Sequence, residues 1–236
     1  RVLFRSATVA DTLTRFARRS SGATLQRFFG VGGAHLERAV EQARSGFVGA
    51  PTLPAAQRYT GVVWEHLALR STDAATRRWA NRNVLVVSGL MGLVAAGDPV
   101  PDYRLKMGAS LPGIGPLAPW WRARLADAVA TELRGTTLVD MLPKEHAAAF
   151  DPAATGRAPV LVRFLAASGA HAAGHGAKAA KGLVARAVVT DRQAGPLAAS
   201  GAAALPGFVF VGAAVRDDAQ VIEFRAAATA AASKGV

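Results

Sequence analysis

Apolar positions recur along the first third of the chain at helical rather than strand spacing. Val9, Leu13 and Phe16 fall on one side of Ala7 to Arg19, with arginines on the other, which predicts a helix. A second helix is predicted over Ala34 to Ala43, after the break Gly30-Val31-Gly32-Gly33. Pro51 and Pro54 mark a loop, and helical spacing resumes from Ala55 through Leu67. Thr72-Asp73 can cap a helix running to about Arg82. Asn83 to Val87 is a short apolar run ending in Ser88-Gly89, as a buried strand would.

From Gly97 to Pro119 the chain is punctuated by Gly and Pro, with an extended piece expected at Tyr103 to Met107. Trp120 to Leu133 has the pattern of an amphipathic helix closed by Gly135. Thr136 to Met141 and Val160 to Ala166 read as strands, and Lys178 to Val189 as a helix. Phe208 to Val215 and Gln220 to Arg225 form a hairpin across Asp217-Asp218. Strands alternate with helices, without an internal repeat or a linker-like change of composition. The expected fold class is α/β, one domain of mixed β-sheet with surrounding helices over residues 31–226. Residues 1–30 read as an unreliable, partly helical amino end, and 227–236 as an Ala-rich tail that frays.

Composition narrows the function classes. With 51% hydrophobic and 19% charged residues, a wholly disordered chain is excluded. The absence of Cys removes disulfides, thiolate metal sites, cysteine nucleophiles and thiol-based sensing, and fits a cytoplasmic location. The opening Arg1-Val2-Leu3-Phe4-Arg5-Ser6 lacks the layout of a signal peptide and reads as an incomplete amino end. The longest uncharged run, Gln193 to Val215, is Ala-rich and broken by Gly195-Pro196 and Pro206-Gly207. It is expected to form a loop, a short helix and a strand rather than a membrane span.

The net charge of +12 is uneven: +5 over residues 1–50 and +4 over 151–200, where Asp151 and Asp191 are the only acids. Such a surplus favours polyanions. Its arginine bias, 23 Arg to 5 Lys, is partly that of a GC-rich coding sequence. Two stretches give it local form. Arg104 and Lys106 alternate with Leu105 and Met107, so an extended backbone points both cations to one face. Lys178, Lys181 and Arg186 fall near one side of the later helix. Between strand and cations, Ser88-Gly89-Leu90-Met91-Gly92 carries two glycines three apart, a turn whose N–H groups can hold a phosphate. An ordinary turn and solvated charged faces explain the same residues about as well.

In order and spacing, Tyr59-Thr60-Gly61, Val86 to Gly92 and Tyr103-Arg104-Leu105-Lys106-Met107-Gly108 resemble the YaaA family of bacterial peroxide-stress proteins. His175 to Arg186 looks like that family's basic helix, and Gly207-Phe208-Val209-Phe210 like its terminal strand. The resemblance covers roughly residues 30–226. It implies an α/β protein with a basic cleft and a helix-hairpin-helix element, associated with duplex DNA and with limiting oxidative damage. Carried over, the hairpin falls at Ser88 to Gly92, and Arg104, Lys106, Lys178, Lys181 and Arg186 line the cleft. The family's opening strand and Lys-bearing loop have no evident counterpart before Tyr59. Leu111-Pro112-Gly113-Ile114-Gly115-Pro116 is a second hairpin candidate, although the residues before it read as extended rather than helical.

Two functions of different class follow. The first is a non-enzymatic stress protein that holds duplex DNA by its phosphates, with His175 as a further contact. The second is an enzyme on a nucleotide or nucleobase in the same cleft, with Tyr59, Asp98 or His175 handling protons. No cofactor is expected. His171 and His175 are four apart, but their Ala/Gly-rich surroundings and the lack of an acidic third ligand argue against a metal. Oligomeric state is left open.

Overall fold

In the computed structural model, residues 2–4, 7–172, 174–192 and 205–227 are described, the first three by backbone only. The expectations for residues 1, 5 and 6, for 193–204 and for 228–236 therefore lie outside the described residues.

The elements begin with β1 (Val2–Phe4), α1 (Ala7–Arg19), α2 (Gly22–Phe29), α3 (Gly33–Ser45), β2 (Thr52–Pro54), α4 (Ala55–Arg58) and α5 (Val62–Leu67). Next come α6 (Ala74–Asn83), β3 (Leu85–Ser88), β4 (Gly92–Ala95), β5 (Pro99–Pro101), β6 (Ser110–Leu111), β7 (Gly115–Pro116) and α7 (Leu117–Glu132). The chain continues through β8 (Val139–Asp140), α8 (Lys144–Ala147), β9 (Val160–Leu165), α9 (His175–Asp191), β10 (Phe208–Arg216) and β11 (Ala219–Ala226). The class is mixed α/β, as expected.

Local chemistry accounts for most boundaries. Asp73 Oδ1 accepts from the N–H groups of Ala75 and Thr76 at 2.8 and 2.9 Å, the cap expected for α6. Asp217 and Asp218 both take positive φ, 49° and 57°, so a two-residue turn with the twist of its strands joins β10 to β11. The helix expected over 55–67 is instead two, because Gly61 at φ 111° breaks the helical path between α4 and α5. Helix α2 had not been expected. Its start is capped by Ser21, and Gly30 ends it in the left-handed region at φ 63°.

The chain folds as two compact units that interleave in sequence. One takes Arg1–Tyr59, Arg77–Thr136 and Leu142–Arg157; the other takes Thr60–Thr76, Thr137–Met141 and Ala158–Val236. In the first, β4 is the centre of a three-stranded sheet, antiparallel to β3 and β1. Val2–Phe4 thus forms a strand, where the sequence reading gave this opening no weight. Helix α7 supplies the buried Leu117, Trp121, Leu125 and Val129 to the core. β-Hairpins stand both where the helix-hairpin-helix turn was expected and at its second candidate. Ser88–Gly92 links β3 to β4, and residues 111–116 link β6 to β7.

In the second unit the sheet runs β10-β11-β9-β8, with β9 parallel to both its neighbours and β10 antiparallel to β11. Its core joins Val160, Val162 and Phe164 of β9, Ile222 and Phe224 of β11, and Ala177, Ala180 and Val184 of α9. Helix α9 lies close on α5 at Gly182, where a Cβ would stand 2.5 Å from the Val63 carbonyl oxygen and 2.6 Å from His66 Cβ. No helix among the described residues is long and apolar enough to cross a membrane.

Gly182→Ala is expected to destabilise this packing by about 1–3 kcal/mol, since backbone rather than a flexible side-chain end must yield. The midpoint of urea unfolding measures the loss; an unchanged midpoint would show that the helices separate freely.

Candidate functional site

Three hydroxyl groups from distant motif segments meet inside the first unit. Tyr59 follows α4, Ser88 ends β3, and Tyr103 lies in the extended segment after β5. The Tyr103 hydroxyl is 2.7 Å from Ser88 Oγ and 2.9 Å from the Tyr59 hydroxyl. The two phenol rings meet edge to face with centroids 6.4 Å apart. Ser88 Oγ also accepts from the Met91 N–H at 3.0 Å, tying the cluster to the β3–β4 turn. Burial raises the Tyr103 phenol well above its ordinary value. Burial also raises Tyr59, against the lowering effect of its bonds to Ser88 and Tyr103. Both phenols stay protonated at neutral pH, so the cluster offers positioned O–H groups rather than a base.

The glycines around this cluster exist for contact. A Cβ on Gly89 would lie 2.6 Å from the Leu105 carbonyl oxygen. One on Gly92, at φ 76°, would lie 2.5 Å from the Trp121 ring. Trp121 Nε1 donates to the Gly89 carbonyl at 2.9 Å. Ser88, Gly89, Leu90, Met91 and Gly92 are all buried. The turn expected to present N–H groups to a phosphate is therefore an internal junction under Trp121. Asp98 is buried too, and its Oδ2 accepts from the Ala95 N–H at 2.8 Å to close the turn after β4.

From the same junction, residues 103–107 run outward. Leu105 and Met107 are buried while Arg104 and Lys106 are exposed, the alternation expected of an extended strip. Both cations arrive at the end of α2. Arg104 Nε donates to the Phe29 carbonyl at 2.9 Å, and Lys106 Nζ lies 2.6 Å from where a Gly30 Cβ would be. Beyond Gly30 the chain turns through Val31 and Gly32 into α3, whose first turn carries no acid and no side-chain cap. Residues 32–35 are exposed. Two helices joined by Gly-Val-Gly-Gly thus stand beside two cations, the second expected from the sequence and the first within the amino end taken as unreliable. The signal was present in Ser21 as a cap and in the glycine run itself.

The other expected cations belong to the second unit. Lys178 and His175 are exposed at the start of α9. Lys181 Nζ donates to the Met141 carbonyl at 3.0 Å; burial lowers its pKa, and Asp140 opposes that effect. Arg186 Nη1 reaches the carbonyls of Leu67 and Ala68 at 3.3 and 3.0 Å and Ser71 Oγ at 2.9 Å, closing the end of α5. Both side chains hold their own unit together. His171 pairs with Leu165 in an isolated β-bridge before α9 begins, so it shares no helix face with His175. Among the described residues no three His, Cys, Asp or Glu side chains are grouped to hold a metal.

Tyr103→Phe is expected to cost about 1–3 kcal/mol, because it removes the phenol hydroxyl that bonds to both Ser88 and Tyr59. A phenol raised on folding gives stability that is complete below its unfolded value and lost as pH rises through the folded one. Thermal melts should therefore fall above the ordinary phenol value of 10.0. The Tyr59→Phe/Tyr103→Phe double variant should show a flatter profile. Lys181, lowered by burial, acts in the opposite sense, so the difference between the two proteins is the readout. Parallel profiles would contradict the buried cluster.

The family model described as peroxide stress protein YaaA matches residues 3–211, reaching further toward the amino end than the motifs themselves. A UPF0246 protein of Streptomyces coelicolor is 39% identical over 137 residues, 58% of this chain and 53% of that protein. A UPF0246 protein of Corynebacterium efficiens is 41% identical over 87 residues, 36% of this chain and 34% of the relative. An uncharacterized protein of Campylobacter jejuni is 28% identical over 126 residues, 53% of this chain and 50% of its own. These matches span about half or less of the relatives' length. With the model match running through both units and all five resembling segments, the chain belongs to the YaaA peroxide stress protein family.

Proposed function

We propose that this chain is a non-enzymatic peroxide-stress protein that binds duplex DNA through its phosphates. The observation that carries this reading is the α2–α3 turn: an uncapped helix start behind Gly30-Val31-Gly32, with exposed Lys106 at its side. N–H groups at such a start, together with the helix dipole, favour a phosphate, and a turn rich in glycine lets a backbone come close. On this reading the helix-hairpin-helix element corresponds to residues 22–45 rather than to 88–92. Arg104 fixes the end of α2 while Lys106 adds charge. His175 and Lys178 offer a separate phosphate contact on the second unit. Contacts of this kind read backbone shape rather than base sequence, and a DNA partner implies work in the cytoplasm.

The reading of an enzyme on a nucleotide or nucleobase relies on Tyr59, Asp98 or His175 as proton carriers. Tyr59 is held protonated, Asp98 is engaged in a buried turn, and His175 belongs to the other unit. No observation favours it.

Affinity for a duplex of random sequence is expected to fall steeply with salt. Lys106→Gln should weaken binding evenly across sequences and lower the logarithmic salt slope by about 1. Ala34→Glu places a carboxylate in the first turn of α3, where it favours the helix but repels phosphate. This variant should melt no lower than the parent yet lose most duplex affinity. Full retention of binding by Ala34→Glu, or absence of any duplex binding at low salt, would overturn the proposal.

A further inference from the structure

The first unit carries a second basic feature, on helix α1. A cleft of about 410 Å³ is lined by Thr12, Arg15, Phe16, Arg19 and Ser20, and by Pro112 from the turn between β6 and β7. We propose that it is a binding site for a nucleoside phosphate.

Arg15 and Arg19 are four residues apart on α1, one above the other on the same face, and both are exposed. Arg15 Nη2 donates to Thr12 Oγ1 at 3.0 Å, which fixes that guanidinium against the wall, while its other N–H groups meet no acceptor among the described residues. No lining residue is acidic. Two planar guanidiniums without a carboxylate match the oxygens of a phosphate, which each can engage in a paired, fork-like contact. The Ser20 hydroxyl adds one more donor.

The remaining wall is of a different kind. Phe16 packs against Phe28, with centroids 4.6 Å apart and planes tilted by 50°. Pro112 brings a second apolar ring, on a turn whose Gly113 and Gly115 have open space where a Cβ would point. A phenyl face supports a planar base by stacking, whatever the base. An inorganic anion would use the arginines and leave this wall wet. An apolar ligand would use the wall and leave two guanidiniums unanswered. A nucleoside phosphate answers both, and the volume lies within the range of small-molecule sites. Lys106 and Ala34 are not among the lining residues, so this site is separable from the phosphate-gripping turn.

The test is calorimetric titration of the full chain with ADP, adenosine and inorganic phosphate at low ionic strength. ADP should bind saturably and more tightly than either part. The Arg15→Gln/Arg19→Gln variant should weaken ADP by about tenfold or more while its melting temperature stays unchanged. Should that pair disturb folding, Arg19→Lys keeps the charge, loses the fork and is expected to weaken ADP on its own. Phe16→Leu should weaken ADP but not phosphate, whereas Lys106→Gln should leave ADP binding intact. Three results would overturn the proposal: no saturable ADP binding up to about 1 mM, equal affinity for ADP and phosphate, or ADP binding indifferent to folded variants at Arg15, Arg19 and Phe16.

Discussion

The missing side chain of Gly89 is the constraint on which the first unit depends. Because no Cβ stands there, the Leu105 carbonyl can lie against the β3–β4 turn, and residues 103–107 run alongside it. Trp121 closes the other side, bonded to the Gly89 carbonyl and pressed on Gly92. With the segment so placed, Tyr103 meets Ser88 and Tyr59 inside, and Arg104 and Lys106 emerge at the end of α2 outside. One close approach thus sets both the buried hydroxyl cluster and the position of the cations. A side chain at Gly89 would not remove a phosphate contact directly; it would displace the strip that carries one.

The second unit repeats this logic with a different glycine. Gly182 lets α9 lie on α5, and on that footing Lys181 and Arg186 turn toward carbonyls of their own unit. Basic residues around a glycine in a helix therefore need not mark a ligand site. The arginine caps the last turn of a short neighbouring helix, where cations are favoured. The lysine gives up part of its hydration to reach Met141, at the cost reflected in its lowered pKa.

Elements with strong local signals were legible from the sequence. Helix α1 has its expected limits, α6 has its Asp73 cap, and the β10–β11 hairpin turns at Asp217-Asp218. The alternation through Arg104 and Lys106 also came through, since burial of every second residue is a local pattern. What could not be read was long-range. Nothing local says that Trp121 will cover Gly89, so the Ser88–Gly92 turn resembled an open phosphate loop although it is internal. Nothing local distinguishes Lys181 and Arg186 from solvated cations, because their acceptors lie 40 and 119 residues away in sequence. Helix α2 escaped because it is only eight residues long and Gly-flanked, too short for periodicity to declare itself.

The interleaving of the two units has its own consequence for how the chain is made. Each unit draws on three separate stretches, so no single cut along the chain releases either one intact. On the ribosome, the first unit cannot close until Arg157 has emerged, and by then Thr60–Thr76 has long been waiting for a sheet not yet synthesised. That sheet is completed by β11, which lies between β9 and β10 and comes last among the described strands. Early segments of the second unit must therefore be kept from wrong partners until the later stretches of that unit have been made.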